Sequence, residues 1–389
     1  MNALVKWVLP VIGIAFLFES CKSEIAPVPI PDDCLVKASA LNGQIIPDEY
    51  IITYQSDNQT SKSARVAADE VRESLLGFGI DETAIEHVLV GNKTVVVAHL
   101  AEREMAKIKA EQNIESIEPD RILSICACVE VVAPNTISWS VLKTGYGRIG
   151  QVSQKTAWII DTGIDLDHPD LNVDAAQSRS FVTGQATADD LNGHGTHVAG
   201  IIGAKNNQIG LLGIASNVNL VALKVFDQLG EGRLSNVIAA VRHVNINGKA
   251  GDVVNMSLGG EGVSTTLERE IQTAAAKGIL FAIAAGNESK DASQYSPARV
   301  NHANVFTVSA VDSTGRFASF SNYGPDVDVA AYGVRVRSTY ANGRYAILSG
   351  TSMATPHVAG LLLTRGVNIP KRGTALNDPD GKPDPIARE

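Results

Sequence analysis

From Glu49 the chain alternates short apolar runs with amphipathic stretches, and the rhythm changes once, near residue 138. Tyr50 to Tyr54 reads as a strand, and Val66, Val71, Leu75 and Phe78 form a helical stripe stopped by Gly77 and Gly79. Two strands, Ala84 to Val90 and Thr94 to Leu100, meet at Gly91-Asn92, a dipeptide suited to a tight hairpin. A helix over Glu102 to Gln112 and a strand over Ile114 to Glu118 follow. Strand, helix, strand, strand, helix, strand is the order of a split βαβ unit.

Residues 122 to 138 lack periodicity and carry Cys126, Cys128 and Pro134, as expected of a connection. Beyond it, strands at Ala157 to Ile160, Leu220 to Phe226, Val253 to Ser257, Ile279 to Ala284 and Val305 to Val311 alternate with helical stretches. The helices follow Gly195 and cover Leu234 to Val244 and Thr266 to Lys277. Several of these strands are continuous apolar runs, which predicts a mostly parallel sheet with helices on both faces. The fold class is therefore α/β, preceded by a small α+β domain. The expected division is an export signal (1–21), a linker (22–45), a small domain (46–123), a connecting segment (124–138), a main domain (139–365) and a polar tail (366–389).

A length of 389 residues suits two domains, and 44% hydrophobic content can build a real core. A formal net charge of −9 argues against nucleic acid as a partner. Lys6 followed by the apolar run Trp7 to Phe18 reads as an export signal, too short to span a bilayer as a mature helix. Cys21, right after that run, has the position of a bacterial lipid-attachment cysteine, although Glu19 fits that pattern poorly. Membrane attachment through lipidated Cys21 and free secretion both remain open. A bridge within Cys126-Ala-Cys128 would be strained, whereas Cys34 could pair with either. Pro27, Pro29 and Pro31 mark an extended linker.

Three segments place reactive residue types where strands end and loops or helices begin, the usual location of sites in open parallel sheets. Asp161 follows Trp158-Ile159-Ile160; His194 lies in Asn192-Gly193-His194-Gly195-Thr196-His197; Ser352 lies in Gly350-Thr351-Ser352-Met353-Ala354. A serine hydroxyl needs a base to take its proton, and histidine titrates in the right range. A carboxylate can fix the histidine tautomer and stabilise its cation. Each residue alone has an ordinary reading as a cap or loop residue; the combination points to nucleophilic catalysis.

These segments resemble, in order along the chain, the Asp, His and Ser boxes of the subtilisin family of serine proteases. The resemblance implies a subtilisin-like serine endopeptidase that works through an acyl-enzyme. Asp161 would orient the base, His194 would be the base and Ser352 the nucleophile. Asn287, in Ala284-Ala285-Gly286-Asn287, would donate its side-chain amide to the oxyanion. Ser257, Leu258 and Gly259 resemble the edge that pairs with substrate backbone, and Gly286 the wall of the primary pocket. Polypeptide substrates bound largely by their main chain are implied. Glu288 is read either as a rim residue of that pocket or as a solvated surface group. His197 and His357 are read as packed helix histidines, and Asp165 and Asp167 as turn residues.

The same resemblance implies a structural calcium ion, with side-chain oxygens from Asp170 and Asn207 and carbonyls from Lys205, Ile209 and Leu211. Asp378 to Asp384 offers a weaker cation candidate and reads better as solvated tail. Residues 46–123 resemble the family's inhibitory propeptide, which would thread its end into the active site and be cut by the enzyme itself between Leu123 and Ser138. No organic cofactor is implied. Two rivals are a catalytically silent subtilisin-like protein that binds peptides and a nucleotide-binding enzyme. The second would need a phosphate-binding glycine loop after the first strand, which Asp161-Thr162-Gly163 does not supply.

Overall fold

The computed structural model describes residues 41–55, 64–91, 93–109, 111, 113–125, 130–131, 137–146 and 154–389. The signal-like segment, Cys21, Cys34, Cys126, Cys128 and most of the expected linker lie outside them. No helix among the described residues is long and apolar enough to cross a membrane.

The N-terminal domain comprises β1 (Ile45–Tyr54), α1 (Ala64–Gly77), β2 (Ile85–Leu89), β3 (Val95–His99), α2 (Glu102–Ile108) and β4 (Ile114–Ser124). Its strands lie in the antiparallel order β2-β3-β1-β4, the arrangement expected of a split βαβ unit. Alternation along the strands divides their side chains between two faces. Ile52, Val96 and Ala98 pack with Leu75, Met105 and Ile108 in the domain's own core. Ile51 and Val95, one residue out of step, instead join the core of the main domain.

The main domain begins with β5 (Glu130–Val131), α3 (Trp139–Thr144), β6 (Thr156–Asp161) and β7 (Arg179–Ser180). It continues with α4 (His194–Gly203), β8 (Asn219–Lys224), β9 (Glu231–Arg233), α5 (Leu234–Asn247), β10 (Val253–Met256), β11 (Gly260–Glu261) and α6 (Thr265–Ala276). Then come β12 (Leu280–Ala284), β13 (Tyr295–Ser296), β14 (Val305–Val311), β15 (Val329–Tyr332), β16 (Val336–Tyr340) and β17 (Arg344–Leu348). The chain closes with α7 (Thr351–Arg365), β18 (Lys371–Thr374) and β19 (Pro385–Ala387).

Nine strands form the central sheet in the order β18-β19-β15-β14-β12-β10-β6-β8-β7, parallel throughout except for the β18-β19 pair. Ala157 and Ile159 of β6 face the layer containing α4 and α7, while Trp158 and Ile160 face α5 and α6. This two-sided burial explains why the strands read as unbroken apolar runs rather than alternating ones.

Two segments depart from the sequence reading. The strand expected to stop at Glu118 continues to Ser124, and Ile122, Leu123 and Ser124 pair antiparallel with Arg233, Gly232 and Glu231 of β9. That pairing satisfies backbone groups and needs no apolar alternation, so periodicity could not reveal it. The second is the polar segment 366–389: residues 371–374 and 379–383 are exposed, as expected of a tail, but its last residues join the fold. β19 extends the sheet beside β15, and Ile386, Ala387 and Ala375 are buried.

Candidate active site

Asp161 ends β6 and His194 opens α4, so the sheet's carboxyl edge brings together residues 33 apart in sequence. The Asp161 carboxylate accepts from His194 Nδ1, with Oδ1 at 2.8 Å and Oδ2 at 3.0 Å. Their side chains are 0% and 1% exposed. Asp161 Oδ1 also accepts the Thr162 N–H at 2.7 Å. With the Nδ1 proton committed to a carboxylate, the neutral ring presents Nε2 as an acceptor. That nitrogen is buried and has no hydrogen-bond partner among the described residues. Close approach depends on glycine: a Cβ on Gly195 would overlap Gly163 O and crowd Asp161. Gly193 has φ +110°, and a Cβ there would run into the Tyr340 ring.

Ser352 is the second residue of α7 and is nearly buried. Its Oγ donates to Ser257 O at 3.2 Å, and Ser257 Oγ returns a bond to Ser352 O at 2.8 Å. Ser352 Oγ is thus not hydrogen-bonded to His194 Nε2 in this structure. Asn287 lies beside the start of the same helix: its Oδ1 accepts from Thr351 N at 2.8 Å and Thr351 Oγ1 at 3.0 Å. Fixing the amide oxygen fixes the orientation of the amide nitrogen as well.

The end of β4 lies between two segments of the main domain. Leu123 pairs with Gly232, and its side chain covers Gly260 so closely that a Cβ there would not fit. Ile125 N donates to Gly230 O at 3.1 Å, carrying the chain toward the loop of Asn192 that precedes His194. Leu258 is buried, whereas among the described residues a Cβ on Gly259 would meet only Ser296 O, at 3.9 Å. Gly286, at φ +107°, packs against Asn322 and Glu288. Glu288 is half-buried beside Gly286. It accepts from Asn287 N at 2.9 Å and Asn322 Nδ2 at 2.8 Å, and burial raises its pKa.

The residues expected to hold calcium are neighbours, tied together by hydrogen bonds from their N–H groups. Asp170 is fully buried; its Oδ2 accepts from Leu211 N at 2.7 Å, and its backbone O accepts from Lys205 N at 2.8 Å. Asn207 Oδ1 accepts from Ile209 N at 3.2 Å. Asp170 Oδ1 is buried without a hydrogen-bond partner among the described residues, and burial first of all pushes this carboxyl up to about 6. Among the described residues no three His, Cys, Asp or Glu side chains group to hold a metal. A cation here would thus rest on one carboxylate plus amide and main-chain oxygens, a donor set that suits calcium.

The subtilase-family model matches residues 158–364. The chain is 41% identical over 271 residues to a thermostable alkaline protease of Halalkalibacterium halodurans, covering 69% of this chain and 71% of that one. It is 36% identical over 354 residues to alkaline serine exoprotease A of Vibrio alginolyticus, covering 88% of this chain and spanning 64% of that relative's length. The chain belongs to the subtilase family. A solved cold adapted subtilisin-like serine proteinase shares the fold, with TM-score 0.53, 38% identity, and coverage of 61% of this chain and 89% of that one.

In this subtilase, His197 and His357 are packed helix residues. His197 Nε2 lies 3.0 Å from Val336 O, and His357 Nδ1 lies 2.7 Å from Met353 O. Asp165 accepts from Gly343 N at 2.8 Å and belongs to a turn. Sequence reasoning missed Asp190, Thr162 and Thr351. Asp190 accepts from Gly193 N at 2.8 Å and from Thr196 N at 2.9 Å, capping α4 just where His194 begins it. Its position in Ala188-Asp189-Asp190, two residues before the His box, gave no signal separating it from its neighbour.

Proposed function

We propose that this subtilase is a serine endopeptidase that hydrolyses peptide bonds in polypeptides through an acyl-enzyme on Ser352. The observation that carries this reading is the buried Asp161–His194 pair, whose His194 Nε2 has no partner among the described residues. That nitrogen takes the Ser352 proton as Oγ attacks the carbonyl, and Asp161 stabilises the imidazolium that forms. The Asn287 amide and the Ser352 N–H, at the positive end of α7, stabilise the oxyanion. The imidazolium then gives its proton to the leaving amine, and water releases the acyl group by the same steps in reverse. Ser257, Leu258, Gly259 and Gly286 line the path of an extended substrate.

In this proposal the N-terminal domain is an inhibitory propeptide. Support comes from its last strand, whose residues Ile122 to Ser124 pair with β9 much as an extended substrate would. Calcium would be held by Asp170, Asn207 and the carbonyls of Lys205, Ile209 and Leu211, supplying charge to the orphaned Asp170 oxygen and fixing the loop. The apolar run after Lys6 supports export, and Cys21 supports a lipid anchor at a bacterial envelope.

A fluorophosphonate probe tests the reading, applied to the protein after removal of the N-terminal domain. Tryptic mass spectrometry is expected to find the adduct on Ser352 and to lose it in His194→Ala. Absence of labelling in wild type, with no hydrolysis of peptides it still binds, would establish the silent peptide-binding protein instead.

A further inference from the structure

Lys224 is a lysine with 0% exposure, placed beside the reacting groups and given no role in the steps above. It ends β8, where the parallel register pairs it with Asp161 of β6, so both side chains leave the sheet on the same face. Its Nζ donates to Thr162 O at 2.5 Å. Thr162 is a hub: its N–H holds Asp161 Oδ1, its hydroxyl donates to Asp190 Oδ1 at 2.9 Å, and that hydroxyl accepts from Gly195 N at 2.9 Å. Asp190 in turn caps the helix that His194 opens. One ammonium, one threonine and two carboxylates thus close a buried network around the Asp161–His194 pair.

The charges around this network can be counted. Asp161 approaches from β6, Asp189 and Asp190 from the loop before α4, and Lys224 and Asp227 from the end of β8. Tyr340 of β16 contacts the same loop through Asn192 O. His197 of α4 and His357 of α7 are two further titratable groups among the described residues near His194, and burial pushes them down to about 3 and about 4. Both are neutral near pH 7. Burial also lowers the pKa of Lys224, opposed first by Asp190 and then by Asp161.

We propose that Lys224 is a positioning residue for peptide hydrolysis, holding the carbonyl of Thr162, whose N–H orients Asp161, and balancing the charge of Asp161 and Asp190 beside His194. Without that ammonium, two buried carboxylates would favour imidazolium before substrate arrives, and an imidazolium accepts no proton from Ser352. Lys224 therefore extends the working range of the base toward lower pH. The inference rests on the reading of His194 as general base.

The test compares wild type, Lys224→Gln and Lys224→Arg, following kcat/KM on a chromogenic peptide from pH 5 to 10 together with Tm. A charge lost from a buried network beside a titrating group moves that titration by about one pH unit or more. The acid limb of Lys224→Gln is expected to shift up by about that much, with kcat/KM about tenfold lower on the acid side and KM unchanged. Lys224→Arg is expected to return the limb toward wild type. A Lys224→Gln limb superimposed on wild type, whatever its Tm, would overturn the proposal and leave Lys224 a purely structural residue.

Should Lys224→Gln fail to yield active enzyme, the His194 ring can be titrated by nitrogen-15 NMR in Ser352→Ala, with and without Lys224→Gln. Movement of that titration to higher pH supports the coupling, and coincident curves overturn it. Wild type that hydrolyses nothing would refute the general-base reading, while the NMR comparison would still decide whether Lys224 governs His194.

Discussion

Asp120 of the N-terminal domain accepts from both the backbone N–H of Ser235, at 3.1 Å, and its hydroxyl, at 2.5 Å, in the first turn of α5 of the main domain. Two residues earlier on the same strand, Glu118 accepts from Thr266 N at 3.2 Å and Ser264 Oγ at 3.1 Å, at the start of α6. Residues two apart on a strand face one way, so β4 presents two carboxylates to two helix N-termini, where unpaired N–H groups favour negative charge. Arg233 adds ion pairs to Glu49 at 2.7 Å and Glu86 at 3.0 Å. Removing a cap costs about 1 kcal/mol. A separately expressed N-terminal domain carrying Asp120→Ala is expected to inhibit the processed enzyme with a Ki raised about fivefold or more. An unchanged Ki would mean that the cap adds nothing to docking.

The side-chain oxygen of Asn287 is held by Thr351, the residue before the proposed nucleophile, while its backbone N–H donates to Glu288. Asn287→Ala is expected to lower kcat by about 10²–10³, the range known for such donors in the subtilisin family, with KM little changed. A loss appearing mainly in KM would assign Asn287 to substrate binding instead.

Asp170 has one buried oxygen with no hydrogen-bond partner among the described residues. Chelation is expected to lower Tm by several degrees, calcium to restore it, and Asp170→Asn to weaken the response to both. A Tm indifferent to chelator in the wild type would remove calcium from the account.

Asp384 carries a pH signature of its own. Burial, joined by repulsion from Asp378, Asp380 and Asp328, pushes it up to about 7, against a bond of 2.6 Å from Ser309 Oγ. A carboxyl whose folded pKa lies above its unfolded value favours the fold below the unfolded value. That contribution is lost as pH rises through the folded one. Asp384→Asn is therefore expected to raise stability by roughly 2–4 kcal/mol near pH 8, and the gain to vanish toward pH 4. Thermal melts across that range check it; a difference independent of pH would show that packing, not ionisation, governs the site.

The Asp, His and Ser boxes were legible because chemistry and backbone geometry fix several adjacent residues at once: glycines where His194 meets Asp161, small residues where the chain turns into α7. The central strands were legible for a different reason, since burial on both faces demands unbroken apolar runs. What escaped was held by main-chain bonds or by single polar residues. β4 crosses to β9 through its backbone, and β19 joins the sheet between prolines and charges with Ile386 and Ala387 as its buried contribution. Lys224, in the apolar run Leu220 to Phe226, was hidden because its neutralising partners lie on other strands and loops.

The most direct measurement is to express the chain from residue 22 as wild type and as Ser352→Ala, and to follow both by intact mass and by casein hydrolysis. The account predicts that wild type shortens between Leu123 and Ser138 and digests casein, while Ser352→Ala stays full length and inert. Shortening of purified Ser352→Ala at the same position, or wild type that remains inert after its N-terminal domain is removed, would contradict it.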